Sequence, residues 1–293
     1  MVNKTKLGYA CINNSIDCTT NSTFRLRNYS KEKLIEKVHG NLDCFMRMLK
    51  WNNENHIYFF RLGSQLVPFA SHSVCKLDWG KYFNEYFKMI GKYVKKNKMR
   101  ISMHPDQFVI INALNKNIVK KSIKELEYHV KVLDLMGLDS TAKVTIHVGG
   151  VYGDKEKSIE RFVSAYKKLP LRIKKRLVIE NDHVSYSLKD CLEIHKQTNV
   201  PIVFDTFHHE CLNNGEKMRD ALLMAKETWK KKDGNIIVHY SSQKRGGAKG
   251  SHSESVNIRH YKKIMREIGK VNFDLMLEIK DKEKSLLKIR RGR

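Results

Sequence analysis

LVIENDHVSYSLKDCLEIHKQTNVPIVFD, residues 177–205, holds the fold in miniature. Leu177–Ile179 and Val200–Phe204 are short apolar runs without alternation. Such runs fit strands buried on both faces, as in a parallel sheet. Between them, Ser187-Leu-Lys-Asp190 is an N-cap signal that opens a helix. Two parallel strands cannot be joined by a tight turn, so the intervening helix is the crossover of one strand–helix–strand unit.

The same alternation runs along the chain. Leu7–Ile12, Ile57–Leu62, Arg100–Met103, Val144–Val148, Ile236–Tyr240 and Phe273–Ile279 are the other strand candidates. Helical stripes separate them. Trp79, Tyr82, Phe83, Tyr86, Phe87, Ile90 and Val94 recur every three to four residues as one stripe. Ile123, Leu126, Val130 and Leu133 repeat the pattern, as do Tyr261, Ile264, Met265 and Ile268. These stripes read as core packing. A short helix over about Asp281–Arg291 completes eight units, the arithmetic of an α/β TIM (β/α)8 barrel. An open doubly wound sheet would carry a Gly-rich turn after its first strand; here that turn is Cys11-Ile-Asn-Asn-Ser. With four prolines and no Ser/Gly-rich linker, residues 1–293 read as one domain.

Composition narrows the class. With 41% hydrophobic and 30% charged residues, the chain is too apolar for disorder and too polar for a membrane protein. The net charge of +25 points to a polyanionic partner, nucleic acid first. No apolar run is long enough for a membrane span, and the start, MVNKTKLGYACIN, lacks a signal-peptide core. Six scattered cysteines without a C-x-x-C pair predict free thiols in a reducing, intracellular compartment (cytoplasm or nucleus), without a disulfide frame. The tail Lys288–Arg293 reads as a solvated end.

In a barrel, chemistry gathers where strands end. Strand 2 runs on to Ser71-His72, and strand 3 ends His104-Pro-Asp-Gln107-Phe108. Strands 4 to 8 end at His147, at Glu180-Asn-Asp-His183, at Asp205-Thr-Phe-His208-His209, at His239 and at Glu278. Seven consecutive strands thus deliver His, Asp or Glu to one rim. Imidazole and carboxylate are ligands for Zn, Mn or Fe, and there are too many for one tetrahedral ion. A cluster of two or three ions is the natural reading. His39, His129, His195 and His260 fall in helical stretches and receive no role.

These motifs in this order resemble the UV damage endonucleases, the UvdE family. The matching segments are Leu7-Gly-Tyr9-Ala-Cys11, Thr19–Leu26, Arg61–His72, His104–Phe108, His147–Gly150, Glu180–Asp182, Phe204-Asp205 with His208, His239–Gln243 and Glu278–Lys280, across about residues 6–281. The resemblance implies a metal-dependent endonuclease. It would nick DNA 5′ to pyrimidine dimers, 6-4 products and abasic sites, leaving 3′-OH and 5′-phosphate. It implies two or three divalent ions, commonly Mn2+ with Zn2+ or Mg2+ as alternatives, held by His72, His104, His147, Glu180, Asp205, His208, His239, His252 and Glu278. Glu180, Glu278, Asp205 and His239 would carry catalysis, with no single protein general base. One position departs from the pattern. Where some members carry a lysine, modified by carbon dioxide as a metal bridge, this chain has Ile237, which cannot ligate.

By the same resemblance Gln107 and Phe108 form a probing pair that enters the base stack, while Tyr9 and Asn13 face the extruded lesion. Arg25, Arg27, Lys244, Arg245 and Lys249 lie in loops at the same rim and read as contacts to the DNA backbone. Lys95–Lys98, Arg172–Arg176 and Lys230–Lys232 precede strands, which puts them on the opposite face, solvated. The expected partner is damaged double-stranded DNA, bound by a monomer away from any membrane. An abasic-site endonuclease, a sugar isomerase or epimerase, and a barrel that binds DNA without cutting it remain the alternatives.

Overall fold

A computed structural model describes residues 5–291. The remainder of the 1–293 domain expectation, part of the stretch read for a signal peptide, and the last two residues of the basic tail lie outside the described residues. Eight strands run β1 (Leu7–Ala10), β2 (Phe59–Leu62), β3 (Arg100–Met103), β4 (Lys143–His147), β5 (Leu177–Glu180), β6 (Ile202–Asp205), β7 (Ile237–Tyr240) and β8 (Asp274–Leu277). Each pairs in parallel with the next, and β8 returns to β1, closing a TIM barrel. The helices are α1 (Lys31–Glu54), α2 (Trp79–Tyr82), α3 (Asn84–Lys96), α4 (Lys116–Leu135), α5 (Lys155–Lys168), α6 (Leu171–Lys174), α7 (Leu188–Thr198), α8 (Thr206–Cys211), α9 (Met218–Glu227), α10 (Ile258–Ile268) and α11 (Glu283–Arg291). The Ser187 signal forms a full capping box with Asp190 at the start of α7.

Side chains alternate along a strand, so every second residue enters the barrel. The interior is therefore layered. The middle layer is apolar at Phe59, Val178, Val203, Ile237 and Met276, which pack together fully buried. Two residues earlier on three strands lies a charged floor. Arg100 pairs with Asp274 at 2.8 Å, and Lys143 with Asp233 at 2.6 Å. Trp229 lies against both cations, 5.6 Å from the Arg100 guanidinium and 5.9 Å from the Lys143 ammonium. Two residues later come Arg61, Glu180, Asp205, His239 and Glu278. The period that buries the plug thus raises the polar groups at the mouth.

Several expectations need correction. The stripe from Trp79 to Val94 is two helices, because α2 stops at Tyr82 and α3 restarts after Phe83. Cys18 and Cys44 form a disulfide; their sequence separation of 26 hid a pairing between the loop after β1 and α1. The other four cysteines are free. Arg176 is buried, not solvated, since its guanidinium holds Asp134 and the carbonyls of Leu138, Asp139 and Ala142. The tail is anchored through residue 291, with Ile289 buried and Arg290 donating to the Asn55 carbonyl. No helix among the described residues is long and apolar enough to cross a membrane.

Candidate metal centre

Strand register sets the site. His147 lies opposite Glu180 across β4–β5, and Asp205 opposite His239 across β6–β7. His104 follows β3 directly, Glu278 follows β8, and His208 sits one turn into α8. Three groups form: His104, His147 and Glu180; Glu180, His239 and Glu278; Glu180, Asp205 and His208. Within each group the ligand atoms lie within 4.8 Å of one another. Glu180 belongs to all three.

Hydrogen bonds to backbone carbonyls fix three of the rings. Nδ1 of His104 bonds the Pro105 carbonyl at 2.8 Å, and Nδ1 of His208 bonds the Asn181 carbonyl at 2.9 Å. Nδ1 of His252 bonds the Glu278 carbonyl at 2.7 Å. In His104 this leaves Nε2, which faces Glu180, as the free lone pair, the usual support behind a metal-binding histidine, whereas in His208 the same Nδ1 is the nitrogen 3.6 Å from Glu180 and 3.7 Å from Asp205. Asn181 also exchanges two bonds with the Asp205 backbone, which ties the end of β5 to β6.

The electrostatics are those of a crowded acidic site. Burial pushes the Glu180 carboxyl up, but His239 and His147 overcome this and hold it well below the usual carboxylate range. Glu278 is likewise held low, against burial, by Arg61 and His239. Burial raises Asp205 and pushes His147 down to about 4. His239 lies 2.9 Å from Glu180 and 3.0 Å from Glu278, which outweigh its burial and push it up to about 10.

The donor set fits divalent ions. Glu180 Oε2, Asp205 Oδ2 and His147 Nδ1 are buried and have no hydrogen-bond partner. Orphaned buried polar atoms are costly, and a cation would satisfy the lone pairs. Imidazole and carboxylate without thiolate suit Mn2+, Fe2+ or Zn2+.

Not every expected ligand joins. His72 is exposed in the loop after β2 and enters none of the three groups, because Gly63–Ser71 carry it away from the strand end. His252 also stays outside them, although its ring lies 6.1 Å from that of His208. Ile237 is a fully buried part of the plug. Arg61 was missed as a site residue: its guanidinium pairs with Glu278 inside the mouth. A lone arginine two residues after interior Phe59 is the signal that could have found it.

At the rim, Gln107 is exposed and Phe108 is 69% exposed, both just after His104. Tyr9 and Asn13 differ from the expectation that they face a lesion. Tyr9 is out of phase with interior Ala10, so it points at α1, where its hydroxyl donates to Asn52 and accepts from Asn13. Arg25, Arg27, Arg245 and Lys249 are exposed. Lys244 is held by Glu254 at 2.7 Å. Gln243 braces that loop by donating to the Lys244, Gly247 and Ala248 carbonyls and accepting from Gly250 N–H.

Comparison with known proteins decides the family. The model of UV-endonuclease UvdE matches residues 5–292. The chain belongs to the UvdE family of UV endonucleases. A UV DNA damage endonuclease from Clostridium perfringens is 41% identical over 97% of this chain and 69% of its own length. One from Bacillus cereus is 34% identical over 93% of this chain and 89% of its own. The crystal structure of SacUVDE superposes with a TM-score of 0.94 at 39% identity, covering 99% of this chain and 98% of that one. A D-psicose 3-epimerase from Clostridium cellulolyticum H10 has a TM-score of 0.53 at 12% identity over 85% of this chain and 86% of its own. A likeness at that identity shows the fold alone.

Proposed function

We propose that this UvdE-family enzyme hydrolyses the DNA backbone 5′ to UV photoproducts and abasic sites, leaving 3′-OH and 5′-phosphate. The observation that carries the reading is Glu180, a buried carboxylate common to three overlapping ligand groups at the barrel mouth. Two or three divalent ions, Mn2+ foremost, would neutralise the phosphodiester and supply hydroxide near neutral pH. His104, His147, Asp205, His208, His239 and Glu278 hold the centre with Glu180. His252 closes over it from the loop that Gln243 braces.

Gln107 and Phe108 meet the damaged step. An exposed ring beside the centre can stack on an orphaned base, and an amide can bond its edge. A damaged pair costs less to open, so the wedge selects distortion without reading sequence. Arg25, Arg27, Arg245 and Lys249 supply exposed cations to flanking phosphates. The test is a 5′-labelled duplex with one defined photoproduct, incubated with and without chelator and added Mn2+. The expected result is a single cut 5′ to the lesion that chelator abolishes. Equal cutting of the undamaged duplex, or cutting that survives chelation, would refute the reading.

A further inference from the structure

A groove of about 960 Å³ runs down the outer wall between α3 and α4, away from the metal centre. Its cations are arranged in facing rows. Lys88, Lys92 and Lys95 line one side of α3; Lys124 and Lys131 line the facing side of α4. Each row rises by about 10 Å along its helix at ~1.5 Å per residue. The floor is aromatic: Trp79 and Tyr128 are buried with ring centroids 5.7 Å apart, and the Lys131 ammonium sits 4.5 Å from the Trp79 ring.

The groove is closed at its lower end. A Cβ on Gly91 would stand 1.7 Å from the Met136 carbonyl oxygen, so only glycine lets α3 approach the end of α4 there. Lys95 bonds the Gly137 carbonyl at the same level. The upper end opens beside Ser71 and His72, on the loop that follows β2 at the mouth. The groove therefore meets the rim that carries the catalytic face.

Its charge is under-compensated. Lys88 has Glu85 and Lys131 has Asp78, while the two acids in the lining, Glu127 and Asp134, are paired with Arg172 and Arg176. Lys76, Lys92 and Lys124 line the groove, are exposed, and have no ion pair among the described residues. Like charges facing each other across a concavity repel, and the concavity focuses their field outward. That arrangement favours a polyanion lying along the rows.

We propose that this groove binds the sugar–phosphate backbone of the DNA arm that leaves the mouth, as a second contact track beyond the cleavage site. DNA is favoured over another polyanion because the open end joins the rim where the substrate strand must pass. The proposal rests on DNA being the substrate.

The test separates the two claims. Binding of an undamaged duplex of about 30 base pairs, ~100 Å long at ~3.4 Å per pair, is compared with one of about 10 base pairs, which ends near the mouth. Each is titrated over a range of salt with wild type, with K76Q/K92Q/K124Q, and with the control K167Q/K168Q/K175Q on the opposite end of the barrel. Each neutralised phosphate contact contributes about 0.9 to the slope of log K against log salt. The groove triple is expected to lower the slope on the long duplex by about 2 to 3 and to keep the wild-type slope on the short one. An unchanged slope on the long duplex overturns the groove. So does an equal drop with the control triple, or an equal drop on the short duplex. All six lysines are exposed, so folding is not at stake. Failure of wild type to nick a photoproduct duplex would instead sink the functional reading, whatever the slopes.

Discussion

Replacing Glu180 by Gln tests the centre at its hub. The substitution keeps shape and removes one charge. Asp205 and Glu278 each belong to one ligand group, whereas Glu180 belongs to three. Metal content should therefore fall unequally: Asp205→Asn and Glu278→Gln each lose one group's ion, and Glu180→Gln loses essentially all. Thermal stability gives a second scale. An ion at about 100 times its Kd stabilises the folded state by about 2.7 kcal/mol. For 293 residues the unfolding entropy is about 0.6 kcal/mol per degree, from ~2.1 cal/mol/K per residue. Each occupied group should thus raise the melting temperature by about 4 °C, as the ratio of those two estimates. The assay is elemental analysis after gel filtration of the complex with an undamaged duplex, which supplies the counter-charge for ions beyond the first, paired with melting curves with and without Mn2+. Circular dichroism of the metal-free variants checks the fold. Wild-type metal content in Glu180→Gln, or equal losses in all three variants, would refute the shared-hub argument.

Three further outcomes are expected. Asp274→Ala strands the buried Arg100 guanidinium and should cost about 3–5 kcal/mol, roughly 5–8 °C on the same scale, with metal content unchanged; a shift of under about 1 °C in melting curves would be inconsistent with a charged floor. His129 is fully buried, bonded to the Glu125 carbonyl and the Ser64 hydroxyl, and burial pushes it down to about 4. Its depressed folded value means that its contribution is present above the unfolded value of about 6.5 and is lost as pH falls toward 4. Wild type should therefore lose about 2 kcal/mol more than His129→Gln between pH 7 and 4.5 in urea titrations, and parallel losses would contradict this. Replacing Gln107 and Phe108 by Ala should lower the preference for lesion over undamaged duplex in competition binding, with Mn2+ content unaltered; an unchanged preference would remove the pair from lesion recognition.

What was legible in the sequence follows strand phase. Glu180, Asp205, His239 and Glu278 each stand two residues after a buried interior residue, so an apolar run ending in a polar residue pointed at the mouth. Other expected residues lay off the strands or out of that phase. His72 drifted out along a loop, and Tyr9, one residue out of phase, turned toward α1. The charged floor was also hidden. Arg100 and Asp274 occupy ends of runs that read as strands, and only barrel closure brings residues so far apart in sequence to 2.8 Å. The disulfide needed the same long-range information.

Charge at the mouth bears on how ions and substrate cooperate. Three carboxylates, Glu180, Asp205 and Glu278, face one guanidinium, Arg61. With the histidines neutral, as ligands must be, the protein offers a net of two negative charges. One divalent ion neutralises that. A second leaves an excess of positive charge in a confined, partly desolvated site, where it is expensive. Ile237 adds no further anion from below, since it is part of the apolar plug. The anionic phosphodiester is then the natural counter-charge for the second ion. Linkage makes this reciprocal: DNA should tighten the second ion by the same factor by which that ion tightens DNA. By this reasoning Mn2+ should bind more tightly to the enzyme with an undamaged duplex than without one, and equal Mn2+ affinity in the two titrations would refute the charge argument.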